Sequence, residues 1–552
     1  MSYLTGAPPR ATEGWEEEYG RIITHALAML SHRQRMAILL SVGLVTGVEI
    51  SSRLSINVLL PDMQGNVAGS PDSISWVVIL YNLGFLCSLA LSYWMTRRLG
   101  ARNHLLLCLG LYATGALGCA CSPHNLTLLL ISRVIMGFGG GAFLARTVIL
   151  AGLMFPGKAR IQAVTWLYLE LFIFQISYPA TMGWIADHLN WNYAFLLDLP
   201  FLAIGAFLIA KYVPPGYLFV RTEESYVDAW GVGLLVAALA SMQIALSRGE
   251  RDEWFQSPFI VSFIVIAVVG FAIFLWWDWR PENPSPVLHL RTIWKERPLR
   301  ASLGIVTIVG AMLGAGLYVL PQYLRHVQDF SSAQTGGFVS AFTGGLAIGL
   351  VLSLRSVMPR IGGARTVALG ATMMCATCVT FIYVWTPTTP SWLLAICTGL
   401  QGFSLAPLLL GAANIATSQA ALADMNDVST SFFFVRQLGN TFGVTAATVM
   451  FDFRMTFHSS RMLDIANRLD PTLQSALAQY SNLILRNGGA GSDPSLGALQ
   501  IFQNTVIVQS QVLAFIDIYF GLAVLSVAIL CLLGLSGIKK QAANFNLHFH
   551  IW

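Results

Sequence analysis

The chain has 552 residues, of which 55% are apolar and only 11% are Asp, Glu, Lys or Arg. Soluble domains carry about 25% charged residues, so these charges are too few for a water-facing surface, and a membrane protein is predicted. Apolar residues are spread along the whole chain, which excludes a single-span anchor and a sizeable soluble catalytic domain. The net charge of +5 does not indicate a nucleic-acid partner, because in a membrane protein the placement of charge matters more than its sum.

The N-terminal segment, residues 1–36, is polar and mixed in charge. It contains no short apolar run followed by a cleavage site, so we expect no signal peptide to be removed. Trp15, Tyr19, Ile22 and Ile23 recur at helical spacing, which favours an interfacial helix on the cytoplasmic leaflet. A loosely ordered tail is the alternative.

The remainder of the chain reads as a series of membrane spans. A helix needs about 20 mostly apolar residues to cross a hydrocarbon core of about 30 Å. Fourteen segments meet this requirement, at 37–60, 74–95, 104–122, 126–152, 163–186, 194–213, 229–247, 257–277, 300–322, 333–353, 366–386, 391–415, 428–450 and 513–537. The connections on one side hold 21 Lys and Arg and those on the other hold 7, which predicts that both termini are cytoplasmic.

The spans contain an internal repeat. The pattern R-x-x-G-A-R follows segment 2 at Arg97–Arg102 and recurs after segment 10 at Arg360–Arg365. The repeat predicts an all-α membrane fold of two six-helix bundles with two extra helices between them. The predicted parts are a cytoplasmic segment (1–36), an N-terminal bundle (37–213), an inserted pair (229–277), a C-terminal bundle (300–537) with a long outer loop (451–512) containing a short helical hairpin, and a cytoplasmic tail (538–552).

Ionisable side chains within the spans are the candidate functional residues. Each one costs about 3 kcal/mol or more in hydrocarbon unless it has a partner, a wet cavity or a function. All eight cysteines lie in apolar spans and show no ligand pattern, so we predict neither a disulfide framework nor a metal site. The embedded set comprises Glu49, Arg53, Arg133, Arg146, Glu170 and Arg436.

Depth along the helices, at about 1.5 Å per residue, sorts these residues into two groups. Glu49, Arg53 and Arg133 form one group, and Arg146 with Glu170 forms the other. Glu49 and Arg53 are four residues apart and therefore share a helix face. We interpret Glu49 as a proton-binding switch, with a static ion pair that fixes helix register as the alternative. The excess of arginine over glutamate favours an anionic or zwitterionic substrate.

Several stretches resemble one branch of a large transporter family. They include Asp228-Ala229-Trp230-Gly231, Arg436-Gln437-Leu438-Gly439 with Gly443, and Leu513-Ala514-Phe515-Ile516-Asp517. The chain resembles the major facilitator superfamily from residue 36 to residue 537, and more narrowly its fourteen-span drug:proton antiporter branch of the EmrB/QacA type. The resemblance implies the major facilitator fold in the inner membrane. The sequence contains no metal-ligand cluster, phosphate-binding loop or nucleophile constellation, so we expect neither a cofactor nor enzymatic activity.

The family motifs are matched unevenly. The loop motif after span 2 is matched by Arg98, Gly100 and Arg102, and Arg97 replaces its aspartate. A second motif, in span 4, is matched by Arg133 and Gly137. The family associates the arginine of this second motif with proton coupling. Only Pro179 and Gly183 remain of the span 5 antiporter motif, where they indicate a kink and close packing. In span 1, Asn57 and Pro61 match, but Ser52 occupies the acidic position. We infer that Glu49 takes over the role of that acid.

The resemblance implies a proton-coupled exporter that moves amphiphilic small molecules or drugs out of the cytoplasm by alternating access. Glu49, Arg133 and Glu170 are the candidate proton-coupling residues. The candidate substrate-binding residues are Arg53, Arg146, Asn57 and Arg436. For a double-membrane bacterium, a periplasmic adaptor protein and an outer-membrane channel are implied as partners, besides substrate, protons and lipid. A dedicated exporter of an anionic metabolite or siderophore is the second hypothesis, and a non-transporting sensor or assembly partner is the third.

Overall fold

The computed structural model describes residues 30–67, 71–143, 147, 154–155, 158–213, 228–249, 252–280, 283, 297–417, 425–465, 471–486 and 494–535. Within these ranges the chain is helical and contains no β-strand. The predicted interfacial helix at Trp15–Ile23, the tail at 538–552 and the side chain of Arg146 lie outside them.

Each of the fourteen predicted spans coincides with a helix. The helices are α1 (His32–Val67), α2 (Pro71–Leu99), α3 (Ala101–Ala120), α4 (Leu126–Gly140), α5 (Lys158–His188), α6 (Asp198–Tyr212), α7 (Ala229–Arg248), α8 (Pro258–Asp278), α9 (Arg297–His326), α10 (Ser332–Leu352), α11 (Gly363–Val384), α12 (Ser391–Thr417), α13 (Met425–Ile465) and α14 (Pro494–Leu535). A 3₁₀ segment, Trp191–Leu197, leads into α6, and a short helix, Pro471–Arg486, lies between α13 and α14.

Ten of the helical segments in the described ranges are long and apolar enough to cross a membrane. The other four helices, α2, α4, α5 and α13, have shorter apolar runs or more polar side chains and do not meet this criterion within the described residues. The protein is therefore a multi-pass membrane protein, and the predicted all-α fold is confirmed.

Helix packing repeats with the offset that the sequence repeat predicts. In the first half α1 packs on α5, α2 on α4, and α3 on both α4 and α6. In the second half α9 packs on α13, α10 on α12, and α11 on both α12 and α14. The helices α7 and α8 pack on each other, and α7 also contacts α2. The residue limits of the two bundles remain a prediction.

The repeated R-x-x-G-A-R segments form equivalent tight turns. Gly100, between α2 and α3, has a φ of 81°, and Gly362, just before α11, has a φ of 80°. No atom lies within 4 Å of a Cβ placed on Gly100, so glycine is needed there for its backbone conformation rather than for space. The R-x-x-G-A-R motif pairs Gly100 with Gly363, whereas the glycine with positive φ in the second half is Gly362. The structural repeat is therefore shifted by one residue from the motif.

The two halves meet closely along α5 and α10. A Cβ on Gly183 would overlap the backbone of Ser332, and a Cβ on Gly336 would overlap the carbonyl of Pro179. The hydroxyl of Thr343 donates to the Gln175 carbonyl at 2.8 Å. Small residues on facing helices therefore let the two backbones approach each other at this interface.

Much of the described part of the predicted outer connection, 451–512, is helical, and its placement on the outer side stays a prediction. The α13 helix continues to Ile465, α14 begins at Pro494, and the short helix Pro471–Arg486 packs against α14 between them. Its apolar side chains are arranged on one face, and Ile484 lies close to Gly497 of α14. Hydropathy alone does not detect an amphipathic helix of this kind, because its apolar residues occupy only one face.

Candidate functional site

Glu49 lies at the centre of α1 and is completely buried. Its Oε1 is 3.0 Å from Nε of Arg53, and it accepts a 2.9 Å hydrogen bond from the hydroxyl of Tyr81 in α2. Its other carboxylate oxygen has no hydrogen-bond partner among the described residues. A Cβ on Gly140 of α4 would crowd the Glu49 side chain, so the glycine leaves room for it. The predicted pairing of Glu49 with Arg53 is present.

Arg53 connects this carboxylate to the second half of the protein. Its Nη1 donates to Oε1 of Gln437 in α13 at 3.2 Å. Its guanidinium lies 4.6 Å from the ring centre of Phe85, which provides a cation–π contact. Because Arg53 is 15% exposed while Glu49 is not exposed at all, the arginine lies between the buried acid and the more open interface.

Arg436 lies in α13 next to Gln437 and is half-buried. Its guanidinium is 5.6 Å from the Phe433 ring, and it lies within electrostatic range of Arg53 and Glu49. No ion pair or hydrogen bond from its side chain to a described residue is present. Arg53 therefore pairs with the one carboxylate where the halves meet and Arg436 lies nearby without an ion pair, which leaves the site net positive.

The grouping of Arg133 with Glu49 by depth stays a prediction, and Arg133 makes no direct ion pair with Glu49. It is 1% exposed, and its Nε donates to the Val77 carbonyl at 3.2 Å. Its guanidinium lies 4.4 Å from the ring centre of Tyr81. The hydroxyl of Tyr81 donates a hydrogen bond to Glu49, and the ring of Tyr81 packs against Arg133. The tyrosine therefore lies between the two charges. No described carboxylate lies within 4 Å of Arg133.

Asp198, the first residue of α6, is a second fully buried acid that the sequence reasoning missed. Its Oδ2 accepts hydrogen bonds from Ser52 at 3.0 Å and from Tyr112 at 3.4 Å. Its Oδ1 has no hydrogen-bond partner among the described residues. The signal was available, since Asp198 lies inside the predicted span 194–213 and the rule that selected Glu49 applies to it equally.

The second predicted group is only partly described. Glu170 of α5 is half-buried, and its carboxylate lies where a Cβ on Gly43 of α1 would be. Arg146 lies outside the described residues, so their grouping remains a prediction. Asn57 is half-buried on α1, one turn beyond Arg53 and on the same face.

The motif residues lie at helix contacts. The Arg102 side chain donates to the Ala210 carbonyl of α6 at 2.5 Å, and the exposed Arg98 lies 5.5 Å from the Trp94 ring. Gly137 of α4 lies against the Tyr81 carbonyl, where a Cβ would not fit. The side chain of Arg97 lies outside the described part of the chain.

A polar cluster joins the halves at the distal face, which is the face at which α1 ends. Asp62 of α1 accepts from the Ser332 hydroxyl at 2.6 Å and lies 3.4 Å from Arg325 of α9. Asp187 of α5 accepts from the backbone N–H groups of Ser332 and Ala333, at 3.2 and 2.8 Å. We call these residues the distal latch; it links the first half of the protein to the second at this face. Sequence reasoning missed it because Asp62 and Asp187 fall just outside the predicted spans.

Comparison with known proteins places these features in context. The family profile of the Major Facilitator Superfamily matches residues 40–228 and 225–444. The Multidrug export protein EmrB of Escherichia coli (strain K12) is 24% identical over 454 residues, covering 82% of this chain and 87% of that protein. The Fatty acid resistance protein FarB of Neisseria gonorrhoeae is 22% identical over 499 residues, covering 89% and 94%.

Solved structures show the same fold at low identity. A crystal structure of the peptide transporter POT in complex with sulfate superposes with a TM-score of 0.60. The two chains are 13% identical, and the match covers 93% of this chain and 98% of that one.

Proposed function

The chain belongs to the major facilitator superfamily, and from this membership together with the buried Glu49–Arg53 pair we propose that it is a proton-coupled exporter. It exchanges protons for amphiphilic small molecules or drugs by alternating access. Its similarity to the Multidrug export protein EmrB over most of both chains supports the substrate class.

The observation that carries the proposal is the burial of Glu49 beside Arg53, which contacts the other half of the protein. The carboxylate is completely buried and balanced by one arginine, which itself reaches Gln437 in the other half. Protonation of Glu49 would remove the charge that holds Arg53, so that Arg53 would be held only by Gln437 and the Phe85 ring. The same event would therefore alter the contact between the halves and the charge offered to a substrate.

The distal latch supports an alternating-access cycle. Its carboxylates and the α5–α10 contact join the two halves at the distal face, and such contacts must break when a substrate route opens there. The opposite face is the proximal face. The distribution of Lys and Arg favours a cytoplasmic location for the proximal face and for both termini, in the inner (plasma) membrane. By analogy with export systems of double-membrane bacteria, a periplasmic adaptor protein and an outer-membrane channel would then receive the substrate at the distal face.

A second candidate is the export of an anionic amphiphile. Arg53 and Arg436 lie near each other with Glu49 as the only acid in contact with either among the described residues, which favours binding of a carboxylate or phosphate. One relative is named a fatty acid resistance protein, and a fatty acid is an amphiphilic anion. Narrow use of anionic substrates would select this candidate over drug export.

The test is ethidium accumulation in cells that express the parent, Glu49→Gln or Glu253→Gln, with and without a protonophore. We expect the parent to lower accumulation only when the gradient is present. Glu49→Gln should abolish this effect at unchanged expression, whereas Glu253→Gln, which alters an exposed glutamate between α7 and α8, should behave as the parent does. Unchanged efflux in Glu49→Gln would remove Glu49 from the mechanism.

The purified parent in proteoliposomes separates transport from a sensor role. Gradient-driven loss of ethidium from the vesicle interior supports the exporter. Absence of flux for both ethidium and laurate would favour a non-transporting sensor or assembly partner.

A further inference from the structure

We propose that Asp198 is a second proton-binding carboxyl of the coupling machinery, and that Arg133 is its counter-ion when the proton has left. The inference rests on the proposed proton-coupled transport and extends it to a residue that neither the motifs nor the sequence reasoning selects. It starts from two buried groups, the acid Asp198 and the base Arg133, that lie within electrostatic range of each other. Neither has an ion-pair partner among the described residues.

Asp198 has no compensating cation in this conformation. It is completely buried, and no Lys, Arg or His among the described residues lies within 4 Å of its carboxyl. No backbone N–H of α6 donates to it, so it does not serve as a helix cap. In a low-dielectric interior, an ionised carboxylate without a nearby cation or backbone N–H donors raises the free energy of the folded protein. These surroundings therefore favour the neutral acid.

The surroundings can accommodate both states of the acid. Ser52 and Tyr112 contact Oδ2, and a hydroxyl can donate to a carboxylate or accept from a protonated acid. The unpartnered Oδ1 is the atom that gains a contact if a cation approaches. The groups that face Asp198 are Tyr112 and Cys119 of α3, Arg133 of α4, Tyr178 of α5 and, from α1, Ser52 with Glu49 one turn away.

Arg133 is the complementary unbalanced group. It is buried without a carboxylate partner among the described residues and is held by a carbonyl and by the Tyr81 ring. It lies within electrostatic range of Asp198 but not in contact with it. Deprotonation of Asp198 would create a carboxylate that attracts Arg133 away from Tyr81, whose hydroxyl holds Glu49.

Proton binding therefore converts the Asp198 carboxylate into a neutral carboxyl, and no other covalent bond is made or broken. Water at the open distal face supplies the proton, and water at the open proximal face receives it. Since Tyr81 contacts both Arg133 and Glu49, the state of Asp198 affects the Glu49–Arg53 pair through this one side chain.

The direct test is infrared difference spectroscopy of the full-length protein in proteoliposomes, with pH as the probe. The C=O stretch of a neutral carboxyl is separate from the bands of carboxylates. At pH 7 we expect Asp198→Asn to lose one neutral-carboxyl band that the parent has. The control Asp464→Asn, at an exposed aspartate of α13, should lose none. An unchanged band pattern in Asp198→Asn would identify Asp198 as an ionised structural residue and overturn the proposal.

Ser52→Ala keeps the proposal testable if Asp198→Asn does not fold. It removes one hydrogen bond to Oδ2, so the same band should shift rather than disappear. A band that neither shifts nor changes intensity would count against proton binding at this carboxyl.

Transport provides the second measurement. Gradient-driven ethidium efflux by Asp198→Asn should fall to the level measured without a gradient, while tetraphenylphosphonium binding persists. Full gradient dependence in this variant would overturn the coupling role even if the band is lost. If the parent itself shows no gradient-driven flux, the proposed function fails, whereas the infrared result still decides whether Asp198 holds a proton.

Discussion

Arg53 of α1 donates a 3.2 Å hydrogen bond to Gln437 of α13 while its Nε remains 3.0 Å from Glu49. One guanidinium thus contacts the buried acid of the first half and an amide of the second half. The Nε contact is an ion pair rather than an aligned hydrogen bond, because Arg53 Nε has no hydrogen-bond partner of good geometry among the described residues. The pair can therefore rearrange without loss of an ideal bond, as a switch requires.

Replacing Gln437 with leucine should weaken the link between the halves. A hydrogen bond to a charged group contributes about 1.5 to 3 kcal/mol, and here the charge is partly buried. We expect Gln437→Leu to lower the temperature at which the detergent-solubilised protein loses its monodisperse peak, and to reduce gradient-driven ethidium efflux.

The matched control for this substitution is Gln256→Leu, which alters an exposed glutamine just before α8. It should leave both measurements unchanged. If Gln437→Leu matches the control in both, the Arg53–Gln437 contact has no role in stability or coupling.

Arg133 should not tolerate replacement by lysine. A guanidinium can cover the Tyr81 ring and donate to the Val77 carbonyl at once, whereas an ammonium is a compact point charge that cannot do both. We expect Arg133→Lys to lose most gradient-driven efflux, which corresponds to about tenfold for each 1.4 kcal/mol of lost stabilisation. Efflux rates in proteoliposomes measure this, with Arg461→Lys, at an exposed arginine of α13, as the control.

An Arg133→Lys variant that transports at the parent's rate would show that only the positive charge matters. The stacking on Tyr81 would then be packing rather than part of the coupling route.

The sequence was sufficient for the helices and for the local pair. Hydropathy predicted fourteen segments, each of which overlaps a helix, and the four-residue spacing brought Glu49 to Arg53 because both lie on one helix. The partners that the sequence did not reveal come from distant helices. Gln437 is 384 residues from Arg53, and Ser52 is 146 residues from Asp198, so tertiary packing alone decides these contacts.

The position of Arg133 illustrates the same limit. Depth along the helices placed Arg133 level with Glu49, but depth does not specify which side chain lies between two helices. Tyr81 of α2 occupies that position and contacts both residues. The missed latch at the distal face reflects the limits of span prediction, since the helices extend beyond their apolar stretches.

Two neighbouring glycines of α10 should respond differently to alanine. A Cβ on Gly336 would overlap the Pro179 carbonyl of α5, whereas a Cβ on Gly337 has no atom within 4 Å. Overpacking of this kind costs about 1 to 3 kcal/mol. We expect Gly336→Ala to separate α5 from α10 and to increase the population with an open distal face, while Gly337→Ala behaves as the parent does.

Spin labels at the distal ends of α5 and α10 measure this opening as a longer distance in pulsed electron resonance. A distance distribution in Gly336→Ala identical to that of Gly337→Ala would mean that the α5–α10 contact does not set the closed state.

Arg436 distinguishes the two candidate substrate classes. It lies beside Arg53 without an acid in contact among the described residues, so its removal eliminates an attraction for anions and a repulsion for cations. For a half-buried charge, the change should be about 1 kcal/mol or more, which is roughly a fivefold change in apparent affinity. Arg436→Gln should therefore weaken the transport of laurate and strengthen that of ethidium.

Competition assays in proteoliposomes measure the transport of both substrates in one preparation, and Arg461→Gln, at an exposed arginine of α13, is the control. Equal changes in the transport of laurate and ethidium would show that Arg436 supports the fold and does not discriminate between substrates by charge. An electrostatic contact must affect an anion and a cation in opposite directions.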